Sequence, residues 1–175
     1  MSQPGPAVPL DDQALRRLAE AERAGWEELA SLMGLLTPAQ ALLPGYFDEG
    51  WSAKDLLAHV AGWLAEAGLV LEQIRVGTFV GRDMDVEAMN AAFLEANRPQ
   101  PLSIVQTEAH ASRWRLLHEV HELVDVTGDA AVWLAKAGPE HYAEHLPRLR
   151  EWVRELEPRA SSPGSSRPGP RGRGA

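Results

Sequence analysis

Apolar residues recur along this chain at three- and four-residue steps, and the alternation expected of half-buried strands is almost absent. The first helix is predicted from about Asp11 to Met33, where Leu15, Leu18, Ala21 or Glu22, Leu29 and Leu32 share a face behind an acidic start. Thr37-Pro38 and Leu43-Pro44-Gly45 then break the pattern. The second helix carries a clear start signal: Ser52 is placed to cap the amide three residues on, and Asp55 is placed to reach back. Beyond it, Leu56, Leu57, Val60, Trp63, Leu64, Ala67, Leu71 and Ile74 form one stripe that ends near Gly77.

A short helix is expected from Asp85 to Asn97, stopped by Arg98-Pro99-Gln100-Pro101. Ser103 is the expected cap of a third long helix reaching about Asp125. Ala130 to Ala137 should form a turn or two. Pro139 then opens the last helix, which runs to about Leu156 and contains Pro147, where a kink or loosened turn is expected. Four long helices and one short extra one make the expected fold class all-α, a four-helix bundle.

Composition sharpens this picture in three ways. The chain has 175 residues, no cysteine and a net charge of -8. Without cysteine there are no disulfides, thiolate metal sites or cysteine nucleophiles, and a cytoplasmic setting is expected. Neither a secretory leader nor an apolar run long enough to span a membrane is evident. The tail 158–175 holds four arginines and no acid, leaving a net of -12 on the rest. So acidic a body repels phosphate backbones, and no nucleic-acid binding is expected of the folded domain. The Pro, Gly, Ser and Arg composition of the tail predicts disorder, as does the start of the chain. The expected division is therefore a disordered 1–9, a bundle at 10–157 and a disordered 158–175.

Six histidines offer candidate chemistry. His141 and His145 lie about 40° apart around the last helix, on the same side as Leu149, Trp152 and Leu156, so the pair points toward the core. Two imidazoles four residues apart are a recurrent way for one helix to supply two metal ligands, and buried side by side they need something to satisfy them. Hydrogen bonding within the core is the other reading of the pair. His59 falls at the border of the second helix's apolar face, where a side chain can enter the space between helices but a lone histidine is more often a hydrogen-bonded core residue. It can meet the first turn of the last helix if the two helices start at the same bundle end.

His110, His118 and His121 are weaker candidates. HEVHE is one residue short of the zinc-protease spacing, and His110 and His121 lie about 16 Å apart along the axis. With Glu108, Arg113, Arg115, Glu119 and Glu122 around them they read as a solvated face. The six tryptophans read as core, with Trp63 and Trp152 near enough to the histidines to line a pocket; Arg75, Asp83 and Asp85 read as ordinary surface.

Trp51-Ser-Ala-Lys-Asp-Leu-Leu-Ala-His59-Val-Ala-Gly-Trp63 resembles the signature of the DinB-like superfamily, especially its ClbS/DfsB branch. His141-Tyr-Ala-Glu-His145-Leu-Pro-Arg-Leu-Arg-Glu-Trp152 is similar to that family's last-helix pattern, and Asp85-Val-Glu-Ala-Met-Asn90 to its acidic-plus-asparagine segment. The likeness spans about residues 10–157. It implies an up-down-down-up bundle, often a homodimer, in which His59, His141 and His145 bind one divalent metal (zinc, nickel or iron). It also implies a metal-dependent hydrolase or thiol-dependent transferase or isomerase, with a water or a low-molecular-weight thiol activated against a small electrophilic substrate. Glu66 and Glu144 are candidates to orient a ligand histidine or relay a proton. The alternative is a non-catalytic bundle that binds a metal or sequesters a ligand.

Overall fold

The computed structural model describes residues 11–47, 50–81 and 83–157, so the disorder expected at 1–9 and 158–175 lies outside the described residues. All regular structure among the described residues is helical: α1 Asp12–Gly34, α2 Pro38–Ala41, α3 Ala53–Arg75, α4 Val86–Asn97, α5 Leu102–Glu122, α6 Gly128–Ala137 and α7 Pro139–Leu156. None of these helices is long and apolar enough to cross a membrane.

Local sequence sets most of the boundaries. The Asp11 carboxylate accepts from the Ala14 amide at 2.7 Å and starts α1. Ser52 and Asp55 form the anticipated capping box, with the Asp55 amide donating to Ser52 Oγ at 3.2 Å and the Ser52 amide to Asp55 Oδ2 at 2.8 Å. The cap of α5 is different. Pro101, not Ser103, is the N-cap, and it makes no side-chain bond; its extended backbone delivers the chain into the helix at Leu102. One short extra helix is also too few. Thr37 and Gln40 cap the single turn α2, and Ala130 to Ala137 belong to a ten-residue helix, α6. Pro147 sits within an unbroken α7.

Ion pairs and hydrogen bonds give the direction of each helix. Tyr142 donates to Glu22, Arg150 pairs with Glu28, and Gln40 just beyond α1 donates to the Leu156 carbonyl, so α1 and α7 run parallel. Arg115 with Glu72 and Arg75 with Glu119 likewise make α3 and α5 parallel. Along α3 the partner numbers fall instead: His59 meets His141, while Val70 shares a surface hollow with Trp133. The α6–α7 segment is therefore antiparallel to α3. The bundle is up-down-down-up, and the crossover joining α3 to α5 carries α4.

At the centre of the bundle, α3 is buried on every side from Ala53 to Ala61, wider than the single predicted stripe, because α5, α6 and α4 all pack on it. A charged pin joins α1, α5 and α7. Glu22 is only 1% exposed and is held by both nitrogens of a bidentate Arg113 at 2.7 and 2.8 Å, with the Tyr142 hydroxyl at 3.3 Å. This corrects the solvated face expected on α5. His110, His118 and His121 are exposed, but Arg113 turns inward to Glu22, and a buried Glu119 accepts from Arg75 at 2.8 Å.

Candidate metal centre

The Ser52 cap fixes where α3 begins and so places His59 about two turns in, on the fully buried stretch. From α7, His141 and His145 project toward it from successive turns. All three are buried, at 6%, 8% and 7% exposed, and their candidate ligand atoms lie within 4.8 Å of one another. The Nε2 atoms of His59 and His141 are 2.8 Å apart. The meeting does not require the two helices to start at one bundle end. They are antiparallel, and the ten-residue α6 lies beside the later turns of α3 before α7 begins, so the first turn of α7 falls beside the first turns of α3. Tyr46 fixes this stretch of α7 by donating from its buried hydroxyl to the His145 carbonyl at 3.2 Å.

Burial dominates the electrostatics. Loss of solvent, then the neighbouring His145, pulls His59 down to about 4. Burial followed by repulsion from His59 and His145 pulls His141 down to about 3, against an opposing pull from the Ala137 carbonyl. Burial also lowers His145, with the Glu144 carboxylate acting in the other direction. At neutral pH, His59 and His141 are therefore neutral imidazoles with lone pairs available.

The donor set fits a divalent metal. Buried nitrogens normally find a hydrogen-bond partner, yet among the described residues Nδ1 of His59 and of His145 has none. The single close Nε2–Nε2 approach cannot satisfy three rings. Zinc–imidazole bonds of about 2.0–2.1 Å imply ligand nitrogens roughly 3.3 Å apart in a tetrahedral site. The observed cluster lies within small side-chain adjustments of that spacing. The other three histidines do not join it.

A cavity of about 980 Å³ opens in front of the triad. Trp51 meets His59 edge-on with ring centres 5.4 Å apart, and Phe47 leans on His145 at 6.1 Å. Trp63 and Trp133 continue the aromatic wall, and Glu144 and Lys136 bring charge to it. Trp152 does not line this cavity as expected. It is buried behind the triad, edge-on to Tyr46 and beneath the Arg148 guanidinium. Nor is Glu66 part of the described lining. Sequence reasoning did not pick out Phe47, Trp133 or Lys136, which sit on segments whose periodicity gives no hint that they face the histidines. Arg75 and Asp85, read as plain surface, have structural work: Arg75 ties α3 to α5, and Asp85 caps α4.

No protein-family model matches the sequence, and no curated protein matches it. The fold is similar to the crystal structure of an uncharacterised protein from Escherichia coli UTI89, with a TM-score of 0.67 at 16% identity over 79% of this chain and 91% of that one. At that identity the likeness speaks for the fold alone.

Proposed function

We propose that this chain is a metal-dependent enzyme of the DinB-like superfamily acting on a small electrophilic molecule, as a hydrolase or as a thiol-dependent transferase or isomerase. The observation that carries this reading is the convergence of three buried imidazoles, two of them held neutral, at the floor of an aromatic cavity. His59, His141 and His145 would hold zinc, nickel or iron, all of which accept imidazole. Bound there, a divalent metal supplies a Lewis acid that brings a water or thiol ligand toward ionisation near neutral pH. Three protein donors, rather than the four of a structural zinc site, suit a catalytic role.

The chain's own residues would do the rest. Trp51 and Phe47 pack against the histidines, restrain their ring orientations and exclude bulk water from one side of the cluster. Glu144, exposed on the turn between His141 and His145, is placed to pass a proton between cavity and solvent. An open cavity in front of the histidines favours this reading over a metal held purely for stability.

Metal analysis and zinc titration of the purified protein test the proposal. Wild type should bind one equivalent, and H145A should lose stoichiometric binding. Retention of full binding by H145A would overturn the ligand assignment.

A further inference from the structure

Asn90 on α4 lines the same cavity, and one hydrogen bond fixes its orientation. The Trp63 indole Nε1 donates to Asn90 Oδ1 at 2.8 Å. An indole N–H can only donate, so the oxygen of the carboxamide must face it and the amide nitrogen must face elsewhere. That nitrogen has no protein partner among the described residues. The helix that carries it is firmly placed. Lys54, buried on α3, donates from Nζ to the carbonyls of Asn97 and Arg98 at 2.8 and 3.1 Å, closing the far end of α4. Gly62 on α3 lies so close to the Phe93 ring that a Cβ would sit 2.5 Å from it. Asn90, about one turn before Phe93 on the helix so anchored, presents a donor whose direction is set before any ligand arrives.

The surroundings say what kind of ligand would use it. The walls are the flat faces and edges of Trp51, Trp63, Trp133 and Phe47, which favour a planar, largely apolar body. A neutral donor at the side of such a body matches an acceptor oxygen in the plane of the ligand.

We propose that Asn90 is a ligand-orienting residue: its NH2 group, locked by Trp63, takes the carbonyl oxygen of a planar, apolar small molecule stacked along the tryptophan wall. This places the carbonyl-bearing end of the ligand on the α4 side, with the remainder reaching toward the triad. The inference rests on reading this cavity as the substrate site.

The test is a pair of probes of nearly equal shape, 4-fluoroacetophenone and 1-ethyl-4-fluorobenzene, titrated by fluorine NMR into chelator-treated and zinc-loaded protein. Wild type should bind the ketone about tenfold more tightly than the hydrocarbon in both forms, the discrimination expected of one well-placed hydrogen bond. N90D keeps an acceptor for the Trp63 N–H but removes the donor, and should bring the ratio close to one while leaving hydrocarbon binding unchanged. W63F keeps an aromatic wall but lets the carboxamide turn, and should give an intermediate ratio. Equal binding of the two probes by wild type, or an undiminished ratio in N90D, would overturn the proposal. A ratio seen only with zinc and preserved in N90D would place the oxygen at the metal, overturning the role of Asn90 while leaving the metal reading intact. Loss of zinc binding with the ketone preference retained would do the reverse.

Discussion

Acidification should unfold this protein through its histidine cluster, and the size of the effect follows from the site. Folding holds His59 and His141 neutral down to about 4 and about 3, whereas an unfolded histidine takes up its proton near pH 6.5. The unfolded state therefore binds more protons as pH falls. Stability is fully present above about pH 6.5 and drains away as the pH approaches the folded-state values. At pH 5 each of the two costs the folded state roughly 2 kcal/mol relative to neutral pH, so the two together cost about 4 kcal/mol, a large share of a typical domain's stability. Urea unfolding with chelator present, at pH 7.5 and pH 5, measures this directly. The H59Q/H141Q variant provides the control, because every other titrating group is common to both proteins. Wild type should lose about 4 kcal/mol more than the variant over that interval. Equal losses would refute the claim that these rings are held neutral by burial. Added zinc should stabilise wild type at pH 7.5 and progressively less at lower pH, since protons compete for the same nitrogens.

Other perturbations probe the frame around the site. R113A leaves the buried Glu22 carboxyl with only the Tyr142 hydroxyl beside it, and should cost about 3–5 kcal/mol in chemical denaturation. G62A drives a methyl group into the Phe93 ring and should cost about 1–3 kcal/mol, with a change in Trp63 fluorescence as α4 is pushed outward. K54M removes the bonds to the Asn97 and Arg98 carbonyls, so amide exchange across 86–97 should quicken while zinc stoichiometry stays at wild-type level.

Much of this was legible in the sequence, for physical reasons. Capping chemistry is local, so Asp11, Ser52 and Pro139 marked three of the four long-helix starts. The four-residue spacing of His141 and His145 set their shared direction, and bringing His59 to them needed the resemblance to a known family. What stayed hidden depends on contacts between distant segments. Glu22 occupies a core position on α1 because Arg113, 91 residues away, neutralises it there. Nothing near Trp133 or Lys136 announces the cavity, because it exists only once α6 lies along α3. The ten residues of α6 give little periodicity to detect, so their sequence predicts no more than a turn or two.

The crossover has a consequence for how such a protein can diversify. Because α3 and α5 run parallel, the chain must return nearly the full length of a 23-residue helix, about 34 Å, before it can start α5. Residues 76–101 make that journey, and α4 within them contributes no buried residue to the core. The histidines sit instead on α3 and α7, where a change would disturb the interior. Inheritance is thus split between two regions under different constraints. Replacements in the return segment can redraw one wall of the cavity without reaching the interior that seats the triad.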